Sequence, residues 1–243
     1  MRVAWVTHRA FDDFGGAERA DKQMLMRRPE DVQVTIVRPG GVDVDLKDYD
    51  KVVVAGIYGF SSGELHILSD LHPIVWAHDM QFTGHWLYDE ASVFIALNQV
   101  HLEWEREKNK FLRVRLEVNP GWMDTADLRD EFPHLEHTAL WAHRNIDHKG
   151  LDRAMAWADE EHVELEILVD RPREDVIANM KIREYFVLLS KIQDPGPFAV
   201  MEAQLCGCKL VLDNVGSWPD VDELREVLNN ADKHFWGLVC GSQ

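Results

Sequence analysis

The chain has 243 residues, 46% of them hydrophobic and 28% charged, with 26 Lys and Arg against 43 Asp and Glu for a formal net charge of −17. The length fits one large domain or two small ones, and the acidity argues against tight non-specific binding to duplex DNA. No apolar run is long enough to span a bilayer and no basic leader precedes an apolar core, while Cys206, Cys208 and Cys240 form neither an even disulfide framework nor a paired metal-binding pattern, so a reduced, cytoplasmic protein is expected.

Taken in chain order, the first predicted element is a near-continuous apolar strand over Met1–Thr7. A polar loop follows and ends in Gly15, Gly16, Ala17 and Glu18, where a helix opens and runs towards Met26. Glycines at such a turn let backbone amides approach a phosphate closely; an ordinary strand-to-helix turn is the plainer alternative. Apolar runs at Val32–Val37, Lys51–Ala55, Ile74–Ala77, Val93–Leu97 and Arg115–Val118 then alternate with helical or turn-rich segments. That alternation predicts parallel strands joined by crossovers.

Further strands are expected at Thr138–Trp141, Leu165–Val169, Phe186–Leu189 and Leu210–Leu212. Between two of these, Lys191–Pro197 carries two prolines and a glycine, which predicts a loop, and Phe198–Cys206 reads as a helix with Gly207 behind it as a cap. Asp194 would lie on that loop and Glu202 one to two turns into the helix, so both carboxylates would face one cavity. Upstream, Thr138–Gly150 gives a strand, a loop bearing Arg144 and Lys149, and a helix from Leu151. Fixed cations stabilise developing negative charge without reorganising, or these two are solvated loop charges.

Asp194, seven intervening residues, Glu202 and then Ala203-Gln204-Leu205-Cys206-Gly207 resemble the C-terminal signature of the retaining GT-B glycosyltransferases of family 4, with Asp where that family usually has Glu. The block around Arg144 and Lys149 resembles the same family's diphosphate-holding loop, with His143 in place of its usual Gly. Gly-Gly-Ala-Glu after the first strand resembles its N-terminal loop. The resemblance implies an α/β, GT-B architecture of two Rossmann-like domains facing across a cleft, the second one shortened. Residues 1–119 would form the acceptor-side domain and 120–243 the nucleotide-sugar domain, with the last helix, anchored by Phe235 and Trp236, packing back on the first domain or staying on its own. Compact forms of this kind are often viral.

The roles that the resemblance implies are specific. Arg144 and Lys149 would stabilise the leaving diphosphate, Asp194 would hold sugar hydroxyls and Glu202 the ribose. Gly15, Gly16, Gly196, Pro197 and Phe198 would complete the donor site. His78 and Asp79, at a strand's C-terminal end, would line the cleft near the reacting sugar. From the residues themselves, His85 and Trp86 offer a stacking face, and Lys108, Lys110 and Arg113 belong to a basic run spanning Arg106–Arg115 that contains the single acid Glu107, suited to an anionic acceptor or, more plainly, a solvated helix end. No metal and no cofactor is implied beyond the nucleotide sugar itself, and Asp43-Val-Asp45 is taken as surface. The acceptor would be a glycan, a lipid or a small molecule; alternatives are a hydroxymethylated base in DNA, or a non-catalytic module that binds a nucleotide or a protein.

Overall fold

The computed structural model describes residues 1–9, 16–42, 45–78, 85–111, 113–128, 133–143, 147–218 and 220–241. The chain divides into two compact units, one of Met1–Met123 with Val227–Gln243 and the other of Asp124–Glu226.

The first unit is built on strands β1 (Arg2–Val6), β2 (Gln33–Val37), β3 (Lys51–Val54), β4 (Ile74–Trp76), β5 (Val93–Ala96) and β6 (Arg115–Val118). They form one parallel sheet in the order β2-β1-β3-β4-β5-β6. The inner strands are apolar on both faces, as a sheet covered on both sides requires: Val3, Ala4, Trp5 and Val6 are fully buried, and Val53, Phe94, Ile95 and Ala96 equally so. Helices α1 (Gly16–Met26), α2 (Ser62–Asp70), α3 (Trp86–Asp89) and α4 (Gln99–Lys108) supply the connections. Helix α2 starts with a capping box in which Ser61 and Glu64 satisfy each other's backbone amides. The basic last turn of α4, Arg106 and Lys108, suits the negative end of the helix dipole.

The second unit holds β7 (Leu135–His143), β8 (Glu164–Val169), β9 (Arg183–Asp194) and β10 (Lys209–Val215), parallel and ordered β10-β9-β7-β8. Its sheet has four strands against six in the first unit. Helices α5 (Leu151–Glu161), α6 (Arg173–Met180) and α7 (Phe198–Leu205) connect them, and Ala139, Trp141, Ala154 and Val187 form a core with Leu151, Trp157 and Tyr185 packed against it.

The last helix, α8 (Val221–Cys240), starts in the second unit, where Arg225 donates to the carbonyls of Thr125 and Leu128 at 3.4 and 3.0 Å, and ends in the first. There Phe235 and Trp236 join Trp5 and Trp76 in an aromatic cluster with ring centroids 4.9 to 6.2 Å apart. The Trp236 indole donates to the Met24 carbonyl at 3.0 Å, and buried Asn119 receives Trp76 on its carbonyl while donating its amide to the Ala231 carbonyl. The indoles of Trp76 and Trp236 are thus spent on backbone, as burial favours, whereas the buried Trp5 indole nitrogen has no hydrogen-bond partner among the described residues.

Two expectations need correction. The loop expected at Lys191–Pro197 begins later, because β9 stays hydrogen-bonded to β10 past an irregularity at Asp213/Val215, pairing Asp194 with Val215. Asp194 is thus the last residue of a strand rather than a loop residue, and the prolines act only after it. Likewise β7 starts at Leu135, three residues before the expected Thr138, since Leu135 donates to the Ile182 carbonyl at 2.8 Å and pairs with Arg183. His137, at φ +56°, absorbs the irregularity between these pairs and the regular ladder.

Candidate active site

Both units place polar side chains beyond the C-terminal ends of their parallel strands, the side on which open α/β sheets bind ligands. In the second unit, the chain leaves β7 and makes a tight helical turn over Asp147–Lys149 before α5. Gly150 links the two at φ +67°, and a Cβ there would lie 2.0 Å from the Leu189 carbonyl oxygen. Only glycine combines that backbone conformation with that approach. The turn is pinned further by the Trp141 indole donating to the Lys149 carbonyl at 3.2 Å and the Ser190 hydroxyl donating to the His148 carbonyl at 3.0 Å.

The consequence is a defined position for Lys149. Its ammonium meets the Asp194 carboxylate at 2.5 Å, with the side chains 15% and 7% exposed. The other carboxylate oxygen of Asp194 accepts from the Gly196 amide at 3.3 Å, and Gly196 itself sits at φ +102°. Pro197 then caps α7 without a side-chain bond, and Phe198 begins the helix, buried. One turn on, the Glu202 carboxylate, 4% exposed, accepts from the Arg173 guanidinium at 2.7 Å. Arg173 is the first residue of α6, so this pair joins the chain after β8 to the helix after β9.

Two histidines border the turn. Burial pushes His143 well below the ordinary histidine range, with the Lys149 and His148 charges adding to the effect. Its Nε2 has no hydrogen-bond partner among the described residues, and its ring meets Trp141 and Phe186 edge to face at 5.1 and 5.6 Å. His148 is lowered as well, by burial first and Lys149 second, with Asp194 opposing. Neutral imidazoles leave Lys149 as the fixed cation of this turn.

In the first unit, His78 lies two residues beyond β4, buried, with its ring 4.2 Å from that of Trp76. It faces Asp21 of α1, and Arg9, beyond β1, is paired with the same carboxylate. Arg9, Gly56, Ile57, Trp76, His78 and Tyr88 line a small pocket at the strand ends. His85 caps α3 by accepting from the Leu87 amide at 3.2 Å, and Trp86, 40% exposed, packs against the rings of His66 and His85 with centroids 4.8 and 5.3 Å away. Lys108, Lys110 and Arg113 are all exposed, with the Lys110 amide held by Asp89 at 2.8 Å.

Sequence-derived residues thus assemble in part. Lys149 meets Asp194, and His85 meets Trp86; Gly16 is the first residue of α1. Gly15, Asp79 and Arg144 lie outside the described residues, as does Asp43, while Asp45 accepts from the Lys47 amide as a cap. Sequence reasoning passed over Asp21, Arg9 and Arg173. Asp21 carried a signal, a charge among the inward residues Ala20 and Met24 of α1.

Known structures resemble the chain at low identity. Anabaena HepE in complex with UDP aligns over 98% of this chain and 95% of its own, with 11% identity and a TM-score of 0.58. WaaG, a glycosyltransferase involved in lipopolysaccharide biosynthesis, aligns over 99% and 95% with 14% identity and a TM-score of 0.54. An α-glucosyltransferase in complex with UDP and a 13-mer DNA containing an HMU base aligns over 98% and 90% with 11% identity and a TM-score of 0.53. The fold is GT-B. No protein-family profile and no curated protein matches the chain.

Proposed function

We propose that the protein is a glycosyltransferase of the retaining, family 4 type, moving a sugar from a nucleoside-diphosphate donor to a hydroxyl acceptor without a metal ion. The observation that carries this reading is the Lys149–Asp194 contact at 2.5 Å, built at the ligand side of the four-stranded sheet by a glycine that admits no side chain. A cation and a carboxylate held side by side suit a donor in which a phosphate adjoins a polyhydroxylated ring. Lys149, with Arg144, meets the charge that develops on the departing diphosphate, and Asp194 receives sugar hydroxyls. Glu202, held by Arg173, accepts the ribose hydroxyls. In the six-stranded unit, His78 faces the transferred sugar.

The chemistry asked of these groups is electrostatic. Charge moves onto the leaving phosphate as the glycosidic bond breaks, and cations already in place stabilise it without reorganisation. The departing phosphate then takes the proton of the acceptor hydroxyl, which attacks on the same face of the sugar. The solved HepE and α-glucosyltransferase complexes with UDP support a donor of this class through a shared fold. A second reading of the acceptor, a hydroxymethylated base in DNA, is favoured by Trp86, an exposed indole packed against two imidazoles and suited to stacking on a base.

The test is a thermal-shift screen with UDP, GDP, ADP and their sugar conjugates, with and without magnesium. A ligand at a hundredfold excess over its Kd adds about 2.7 kcal/mol to stability. The expected outcome is a rise with one diphosphate family that magnesium does not change. No rise with any of them, by calorimetry as well, overturns the donor assignment.

A further inference from the structure

The six-stranded unit encloses a set of charged and polar groups that the donor site does not use. Asp21, on α1, is 0% exposed. One of its carboxylate oxygens accepts from the Thr7 hydroxyl at 3.3 Å and lies 3.6 Å from the Arg9 guanidinium, while the other lies 3.4 Å from the His78 Nε2, an electrostatic contact rather than a hydrogen bond. Arg9 is itself fixed, because its guanidinium donates to the Ala55 carbonyl and its amide to the Thr7 hydroxyl at 3.2 Å. Arg38 closes the arrangement by donating to the carbonyls of Thr7 and Arg9. At Gly56 a Cβ would lie 2.8 Å from the His8 imidazole and 3.1 Å from Arg9, so the glycine lets this backbone approach the cluster closely.

Such a cluster is expensive to keep. Enclosing a carboxylate and a guanidinium costs several kcal/mol per ion before their attraction is counted, and well-packed apolar residues of similar size are often as stable or more so. Its location gives a reason to retain it, since Thr7, Arg9 and His78 all follow strand ends on the ligand side of the sheet and Arg9 and His78 border the pocket there.

We propose that Asp21 is the positioning residue for His78 in the transfer reaction. It never touches substrate. Its carboxylate keeps the histidine proton on Nε2 and fixes the ring plane against Trp76, so that His78 meets the sugar in one orientation and one tautomer; Arg9 and Thr7 hold the carboxylate for that purpose. The assignment to sugar transfer rests on the function proposed above, whereas the tautomer and the orientation do not. Among the described residues, the titratable or charged groups around His78 include Asp21 from α1, Arg9 from the segment after β1 and, lining the same pocket, Tyr88 from α3.

The experiment uses the full chain and no substrate in its first arm. Long-range proton–nitrogen NMR spectra read the tautomer of His78, assigned by the signal that disappears in His78→Gln. The expected result is a ring protonated at Nε2 in the wild type and, in Asp21→Asn, a weakened preference, with both tautomers populated. A wild-type ring protonated at Nδ1, or an unchanged tautomer in folded Asp21→Asn, overturns the proposal; the wild-type measurement decides even where the variant does not fold. In a second arm, with donor and acceptor in hand, Asp21→Asn lowers kcat by about tenfold to a hundredfold with donor affinity unchanged, and combining it with His78→Gln adds no further loss. Losses that add independently leave Asp21 a structural residue and overturn its positioning role, while absent turnover in the wild type counts against sugar transfer and leaves the first arm intact.

Discussion

The two units handle charge in opposite ways. In the six-stranded unit the side chains of Asp21 and Arg9 are 0% and 3% exposed, and both are bonded to backbone or hydroxyl groups of the same unit. In the four-stranded unit the cations reach solvent, Arg173 being 40% and Lys149 15% exposed, while their carboxylate partners Glu202 and Asp194 stay nearly closed. An enclosed pair cannot exchange its partner without leaving a bare charge in a low-dielectric interior. A pair with one open member can trade part of its contact for a ligand. The first arrangement suits a fixed geometry and the second a donor that arrives and departs.

The most severe way to break this contrast is at the glycine that makes the second arrangement. Gly150→Ala forces a Cβ to within 2.0 Å of the Leu189 carbonyl oxygen at a φ that side chains rarely adopt. The expected cost is at least about 3 kcal/mol in chemical denaturation, because neither backbone segment yields cheaply. Gly63→Ala in the six-stranded unit is the control: nothing lies within 4 Å of the added methyl. It should be neutral or add a few tenths to about 1 kcal/mol, since alanine suits a helix better than glycine. Equal costs at the two sites would mean that the turn before α5 is not tightly built.

Removing the charge without disturbing the turn comes next. Lys149→Ala is expected to lower kcat by about 10²- to 10³-fold, the scale seen when one preorganised group facing a developing negative charge is lost. Its melting temperature should fall by a smaller margin, because Asp194, nearly enclosed, loses its charged partner. A variant that keeps its kcat but loses several degrees of stability would make the Lys149–Asp194 pair a brace rather than a donor contact.

What the sequence disclosed follows the same contrast. Parallel strands were legible in both units because apolar runs such as Val52–Val54 and Phe186–Leu188 are short and bounded by glycine, proline or charge. The spacing of Asp194 and Glu202 was legible because the prolines at 195 and 197 punctuate it. The end of β9 was not, since its last, mostly polar residues are tied to β10 through the Asp194–Val215 pairing, a tertiary effect without a local signature. Nor could Arg173 be matched with Glu202, 29 residues apart. Asp21 was the one missed group with a visible trace, a carboxylate on the face of α1 that carries Ala20 and Met24.

A milder change separates binding from turnover. Glu202→Gln keeps the shape of the side chain and removes the charge that holds Arg173, and Arg173→Ala removes the holder. Each is expected to raise the donor KM by about tenfold with kcat nearly unchanged, the pattern of contacts made equally in the bound state and the transition state. Combining the two should cost no more than the worse single change, because they act through one ion pair. Independent, additive losses would give Arg173 a donor contact of its own.

The smallest effect expected is one of pH. His143 is held well below its ordinary value of 6.5 by burial, so the unfolded chain binds a proton there at a pH where the folded chain does not. Stability contributed by the neutral ring is complete above about pH 6.5 and is lost as pH falls from there towards the folded value, because stability rises with pH wherever the unfolded state binds more protons. His148 and His85, also lowered, act in the same direction. The whole protein should therefore melt lower at pH 5.5 than at pH 7.5, and His143→Gln should reduce that difference by on the order of 1 kcal/mol. His85→Gln, in the six-stranded unit and less enclosed, should reduce it less. If the two substitutions flatten the pH dependence equally, the imidazole beside Lys149 is no more sheltered than the one that caps α3, and the turn that carries Lys149 admits water to its base.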